Sequence, residues 1–249
     1  MTSPLPTDEQ LMLNPHAPHP PFAWYVSIPS TWALLDTNPT SWQRNAARLV
    51  DDRFAGRGLK AADRRAVLGF LEQLVADCQR AGAALSMIQL GRMSTGAVGG
   101  AGLHLAWYDS EHEQASLAMV RQSLPRSGTV DEVSTPAGPA LLHTERASII
   151  PPGATARVQS RVLQLYLPLV GTTWTAVLSA ATPHPEMEPV LGEIVVAVAR
   201  SIQPVVLAEA AEPDPSDDFE AVPPVDAPGI EKGFGTLLRR RVDGSTDHE

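Results

Sequence analysis

Cysteine is nearly absent from this sequence, and its absence excludes two kinds of site. Cys78 is the single cysteine among 249 residues. One thiol cannot form an intramolecular disulfide, and it cannot supply the several thiolates of a cysteine-based zinc site. Apolar residues make up 43% of the chain, which is enough for a real core. We therefore expect a globular protein with appendages rather than a disordered chain.

Positive charge is also scarce. The sequence has 19 Lys and Arg against 28 Asp and Glu, a net charge of −9. Binding to nucleic acid or anionic lipid needs clustered cations, so the composition disfavours both kinds of partner. No stretch approaches the roughly 20 apolar residues that span a bilayer, and the N-terminus does not have the pattern of a secretory signal. We therefore expect a cytoplasmic protein.

The motifs of common catalytic sites are missing as well. Five glycines lie in residues 91–102, but without a dinucleotide fingerprint or a phosphate-loop ending, so we interpret the segment as a flexible hairpin loop. No Gly-x-Ser-x-Gly elbow occurs, although serine catalysis assembled from distant residues stays open. None of the seven histidines forms His-x-x-x-His, a spacing typical of metal sites on helices. We expect no catalytic residues, no cofactor and no metal.

Proline and acidic residues divide the chain into four parts. Residues 1–21 hold six prolines and should form an extended or disordered lead-in, because proline donates no backbone hydrogen bond. Periodic apolar segments fall within residues 22–204, which we predict to be a single domain. Residues 205–228 are an acidic, proline-rich linker that we expect to be solvated, and residues 229–249 are a C-terminal tail.

Apolar spacing within the predicted domain distinguishes helices from strands. Apolar residues three or four apart predict helices at about residues 42–54, 60–80, 111–123 and 187–203. Segments of period two predict strands at residues 23–28, 31–35, 85–92, 103–108, 129–134, 139–148, 158–167 and 173–180. Strands joined as hairpins, with helices grouped between them, favour an α+β fold with a mostly antiparallel sheet packed by helices.

The segment TPHPE, residues 182–186, joins the last predicted strand of the domain to its last helix and raises the question of an active-site turn. Its two prolines hold His184 extended. Glu186 and Glu188 suit the positive end of the helix dipole. No nucleophile is paired with this histidine in the sequence, so we interpret the segment as a stiff corner that aims the helix onto the sheet.

Two histidines and the cysteine have both a structural and a functional interpretation. His104 and His143 lie on predicted strands between apolar residues, where a half-buried structural histidine is more common than a ligand. A small-molecule or enzyme cleft near them is the alternative function for this chain. Cys78 belongs to the apolar face of its helix, and we interpret it as an inert core thiol.

Two tryptophan–tyrosine pairs could form an aromatic binding surface. Trp24-Tyr25 and Trp107-Tyr108 each put one ring on either side of a predicted strand. At least one ring of each pair should therefore pack in the core.

The candidate partner-binding residues are three apolar residues and three arginines in the C-terminal tail: Phe234, Leu237, Leu238, Arg239, Arg240 and Arg241. The apolar residues fall at i, i+3 and i+4, so they would form one face of a short docking helix, as in helix-in-groove recognition. The linker of roughly 25 residues gives such a peptide a long reach. A disordered tail with a chance apolar cluster is the alternative.

Both ends of the predicted domain resemble a known family. The strand TWTAVLSA, the dipeptide TP and the helix LGEIVVAVARSIQ resemble the end of small actinobacterial proteins with a PsbP-like α/β/α sandwich, and the opening AWYVSIPSTWALLDTNP is similar to their first strand pair. The resemblance covers residues 22–204 in element order, although only the two ends are specific. The helical insert at residues 42–80 departs from the family pattern.

The resemblance implies an accessory or docking subunit without shared catalytic residues, in some relatives beside type VII secretion systems. Together with the missing motifs, it leads to the expectation of a non-enzymatic interaction protein. That protein would bind a protein partner through its domain and its C-terminal peptide. The sequence predicts neither the partner's identity nor the oligomeric state.

Overall fold

The computed structural model describes residues 14, 16–56, 58–94, 96–111, 113–149, 157–204 and 234–240. These residues form two antiparallel sheets and four α-helices, so the fold is α+β with mostly antiparallel sheets packed by helices. The helices are α1 (Trp42–Arg53), α2 (Ala61–Arg80), α3 (Leu117–Ser123) and α4 (Glu188–Ser201).

The larger sheet has seven strands in the order β2-β3-β4-β8-β7-β6-β5. Its strands are β2 (Ala33–Leu34), β3 (Ala83–Arg92), β4 (Val98–Asp109), β5 (Thr129–Thr135), β6 (Gly138–Ile149), β7 (Val158–Pro168) and β8 (Trp174–Thr182). The smaller sheet has the order β10-β1-β9. Its strands are β1 (Trp24–Pro29), β9 (Gln203–Pro204) and β10 (Phe234–Arg240).

One face of the larger sheet, called here the α4 face, is apolar and buried. Leu105, Leu178 and Leu165 lie directly opposite one another on β4, β8 and β7, and all three are fully buried. They form one core with the α4 residues Leu191 and Val195. The apolar stripe of α4 therefore lies on the sheet, as its helical spacing predicts.

The opposite face, called here the α2 face, carries α1 and α2 at one side of the sheet. Ile88 and Leu90 of β3 form a second core with Val50 of α1 and Leu71 of α2. Because successive strand residues point to opposite faces, β3 contributes to both cores and separates them.

The predicted helices and strands of the domain are all present. Helices α1, α2 and α4 lie within two residues of their predicted bounds. Helix α3 is shorter than predicted, because it begins only after Ser116, whose hydroxyl oxygen accepts the N–H of Met119 at 3.3 Å. Serine in this position is a common helix cap.

The glycine-rich segment is mostly strand, which corrects the predicted flexible loop. β4 begins at Val98 and includes Gly99, Gly100 and Gly102. A Cβ on Gly99 would overlap the imidazole of His184, and a Cβ on Gly102 would lie 2.8 Å from the side chain of Leu74. Glycine at these positions lets neighbouring side chains approach the backbone closely.

Packing starts before residue 22, within the predicted lead-in. The N–H of Asn14 donates to the carbonyl of Ala84 at 3.2 Å, and Ala17 is only 4% exposed. The end of the lead-in therefore packs on β3. The predicted linker at residues 205–228 lies outside the described residues.

Candidate partner-binding site

Strand β1 is the middle strand of the smaller sheet. Trp24, Val26 and Ile28 alternate along it, and each is buried in the core of the α4 face. The ring of Trp24 meets Trp107 of β4 edge-on, with 5.3 Å between the ring centroids. Pro29 ends the strand, since it has no N–H to donate. These contacts hold β1 on the domain independently of the C-terminal tail.

The two edges of β1 are covered differently. On one side β9 pairs only with Trp24 and Tyr25. Further along the same side of β1, the N–H of Ser27 donates to the hydroxyl of Ser201, the last residue of α4, at 2.9 Å. On the other side β10 pairs with the whole strand, from Trp24 opposite Arg240 to Pro29 opposite Phe234.

The hydrogen-bonding direction of β1 follows from these partners. The N–H and C=O of one residue in an antiparallel strand point to the same side, and successive residues alternate. Because Ser27 points to the side of α4, the backbone groups of Val26 and Ile28 point to β10, where they lie opposite Leu238 and Thr236. We call this side the acceptor edge. In the structure β10 lies along these backbone groups and pairs with them.

The structure shows that the predicted docking helix is wrong. Five of the six candidate residues, Phe234, Leu237, Leu238, Arg239 and Arg240, lie in the strand β10. Arg241 lies outside the described residues. A strand repeats every two residues, which differs from the i, i+3 and i+4 spacing of the helical interpretation. The partner-binding role of these residues stays a prediction.

Sequence reasoning missed the acceptor edge itself. The predicted strand at residues 23–28 was correct, but a strand pattern does not show which edge of the strand stays unpaired within the domain. The alternation of Phe, Thr and Leu in FGTLLRR is the one local signal for β10, and it is too short to outweigh the helical spacing.

The two histidines of the alternative function lie in one row on the α2 face. Along this row His104 is opposite Ser179, Ser179 is opposite Gln164, and Gln164 is opposite His143. Three strand spacings, about 14 Å, separate the two imidazoles, so they cannot hold one ligand atom together. His143 is fully buried, and its Nε2 donates to the carbonyl of Ser127 at 2.6 Å.

His104 and Cys78 are both largely shielded from solvent, and this burial shifts the pKa of each side chain. Burial lowers the pKa of His104, and the nearby carboxylate of Asp77 opposes that shift. Burial raises the pKa of the Cys78 thiol to about 11, so the reactive thiolate is disfavoured. In the described ranges no group of three His, Cys, Asp or Glu side chains could hold a metal ion.

The segment TPHPE is a corner that clamps the β3–β4 hairpin. The N–H of His184 donates to the hydroxyl of Thr182 at 3.2 Å, and its ring lies against Gly99. The hydroxyl of Ser94 donates to the carboxylate of Glu186 at 2.6 Å. A serine that donates directly to the carboxylate is not aligned as a nucleophile with a histidine base. Helix α4 begins at Glu188, next to the predicted position.

The aromatic pairs behave as predicted. Trp24 and Trp107 are buried, whereas Tyr108 is 63% exposed. One ring of each pair therefore packs in the core.

Comparison of the sequence with protein-family models and with curated proteins found no match. Within the described residues, no helix is long and apolar enough to cross a membrane. The structure confirms the predicted fold class, an α+β protein with mostly antiparallel sheets.

Proposed function

We propose that this chain is a non-enzymatic interaction protein that binds an extended protein segment along the acceptor edge of β1. Its own C-terminal strand occupies this edge and gives way to a partner's strand. The proposal includes an accessory role beside a bacterial secretion system, which the family resemblance implies. It also includes a cytoplasmic location, which is expected from the sequence pattern of the N-terminus.

The observation that supports this proposal is the register of β10. Six residue pairs join β10 to β1 in an antiparallel arrangement. Strand addition of this kind obtains its affinity from backbone hydrogen bonds and its specificity from alternate side chains. Because the backbone contribution depends little on sequence, another extended segment can make the same bonds.

The tether between the domain and β10 is long enough for exchange. Residues 205–233 connect Pro204, opposite Trp24 of β1, to Phe234, opposite Pro29. These two residues are separated by two strand spacings, about 10 Å, across the sheet and by about 17 Å along β1. Each residue of an extended chain spans about 3.3 Å, so the length of this segment exceeds the separation of its two ends several-fold. Such a tether supplies its own strand at an effective concentration on the order of 1 mM.

A proline scan of β10 tests the proposal. In the full-length chain, Leu238→Pro removes an N–H that points to the acceptor edge, whereas Leu237→Pro removes one that points away from β1. The probe is a fluorescent peptide of residues 229–249, and its binding is followed by anisotropy. If the free peptide binds at about 10 μM, the tethered strand should weaken its apparent affinity for the wild-type chain about 100-fold. Leu238→Pro should relieve that competition.

The matched variant makes the outcome specific. Leu237→Pro should bind the peptide as weakly as the wild-type chain does, and a peptide carrying the Leu238→Pro change should not bind the Leu238→Pro chain. Equal peptide affinity of the wild-type chain and both variants would contradict the proposal.

A further inference from the structure

The two faces of strand β1 have different surroundings, which restricts the segments that can pair with it. Trp24, Val26 and Ile28 point into the core of the α4 face, where Val26 has no exposed surface and Ile28 is 5% exposed. Tyr25 and Ser27 alternate with them, so they point to the opposite face of the smaller sheet, each with a hydroxyl group. A strand that is added to β1 continues both of these faces.

The core continues on the side of β1 where the acceptor edge lies. Helix α4 is on the other side, since the hydroxyl of Ser201 accepts the N–H of Ser27, and α4 packs on β8, β7 and β5 of the larger sheet. The side of β1 away from α4 is therefore the side of β3. Leu85 and Met87 of β3 are 1% and 0% exposed and belong to the same core as Val26.

The register identifies the positions of an added strand that face this core. Residues directly opposite each other in antiparallel strands lie on the same face of a sheet. The positions opposite Val26 and Ile28 therefore point inward, and in β10 they are the positions of Leu238 and Thr236. The position between them points outward.

Burial makes the two inward positions selective for apolar side chains. A polar side chain there loses its water, and Val26, Leu85 and Met87 offer it no strong hydrogen-bond partner in return. An aliphatic side chain gains the free energy of apolar burial instead. Backbone hydrogen bonds are the same for every non-proline residue, so the inward side chains distinguish one partner segment from another.

We infer that the acceptor edge selects an antiparallel segment with apolar or β-branched residues at two inward positions, opposite Ile28 and Val26. The residue between them, opposite Ser27, is not selected. This inference rests on the proposed function, because it names the class of segment that replaces β10.

Two adjacent leucines provide a matched test. Leu238 is opposite Val26 and Leu237 is opposite Ser27, so one substitution can be compared at an inward and an outward position. The receptor is the full-length Leu238→Pro chain, and the probes are fluorescent peptides of residues 229–249 followed by anisotropy. Leu238→Asn in the peptide should weaken binding about tenfold or more. Leu237→Asn should change it by about twofold or less.

A gain of affinity tests the other inward position. Thr236 is opposite Ile28, and Thr236→Val replaces its hydroxyl group with a methyl group while the side chain stays β-branched. This peptide should bind about fourfold more tightly, a result that a damaged peptide cannot give. Thr246→Val makes the same chemical change outside β10 and should leave the affinity unchanged.

The outcomes separate this inference from the proposed function. Equal losses with Leu238→Asn and Leu237→Asn would overturn the inference and leave strand addition unaffected only if the proline scan still gives its expected result. A peptide bound as a helix would also lose affinity at both leucines, because both belong to its apolar face. Equal effects of Thr236→Val and Thr246→Val would likewise overturn the inference. If the unchanged peptide does not bind the Leu238→Pro chain, the proposed function fails and this inference fails with it.

Discussion

The two faces of the seven-stranded sheet are built from alternate residues of the same strands, but they meet different neighbours. On the α4 face, Leu105, Leu178 and Leu165 form an apolar row with no exposure to solvent. On the α2 face, the row one residue away contains His104, Ser179 and Gln164, all partly accessible.

The α4 face therefore contributes mainly to the stability of the fold, whereas the candidate binding site lies elsewhere. Burial of aliphatic side chains on the α4 face supplies a large part of the folding free energy, and it also fixes β1 through Trp24. The α2 face is packed by α1 and α2 only at one side, and there the incomplete β2 leaves a cavity of about 430 Å³. The proposed partner-binding site lies at the edge of β1 that the C-terminal strand covers, and the cavity lies beside the incomplete β2. Neither lies in the centre of a sheet face.

The largest expected change in stability comes from truncating one leucine of the buried apolar row on the α4 face. Leu178→Ala should lower the free energy of unfolding by about 2–5 kcal/mol, because a fully buried leucine leaves a cavity. The adjacent Val177→Ala, on the half-covered α2 face, should cost about 1 kcal/mol or less. Urea denaturation followed by circular dichroism measures both, and equal losses would contradict the distinction between the faces.

A pair of facing glycines should give an intermediate effect. Gly99→Ala places a Cβ against His184, which two prolines hold in position, and should destabilise the chain by about 1–3 kcal/mol. Its cross-strand partner Gly91 has open space around it, so Gly91→Ala should be nearly neutral. The double variant Gly99→Ala with His184→Ala should recover stability relative to Gly99→Ala. If it does not, the contact is not the cause of the loss.

The smallest effect concerns pH and the α2 face. Burial lowers the pKa of His104 in the folded chain. In the unfolded chain this histidine is protonated as the pH falls below about 6.5, whereas in the folded chain it stays neutral to a lower pH. The free energy of unfolding should therefore decrease from this pH downwards, until the folded pKa is passed. Above about pH 6.5 both states are neutral at this residue, and no effect is expected.

His104→Gln isolates this contribution. The variant should lose less stability than the wild-type chain between pH 7 and pH 5, as measured by urea midpoints. His184 shifts in the same direction through burial and is unchanged in the variant. The exposed His16→Gln is the control, and a His104→Gln profile parallel to that of His16→Gln would show that His104 does not contribute.

Local patterns predicted most of the domain's elements but not the boundary of the glycine-rich loop. The apolar stripe of α4 and the hairpin strands are visible because helices and strands bury side chains at regular intervals. Gly99 and Gly102 are ambiguous in the sequence, since glycine serves flexible loops and close packing equally well. Only the positions of His184 and Leu74, far along the chain, show that packing is the reason.

The candidate site and the cavity beside β2 were less predictable than the elements. The tail residues at Phe234 and Leu238 were identified as a candidate docking segment, but their conformation was predicted incorrectly. The cavity beside Trp32 and Arg53 was not predicted, because it arises where a strand stops pairing, and no spacing in the sequence encodes that.

The sequence by itself determined the α+β class, three of the four helices to within two residues, and the corner at His184, because each depends on residues that are neighbours along the chain. The tertiary structure alone decided that Phe234–Arg240 is a strand and that the gap beside β2 is a cavity. Both depend on an edge of the backbone that a distant segment covers or leaves open. Every non-proline residue has the same backbone N–H and C=O groups, so the sequence does not show which segment will pair with such an edge.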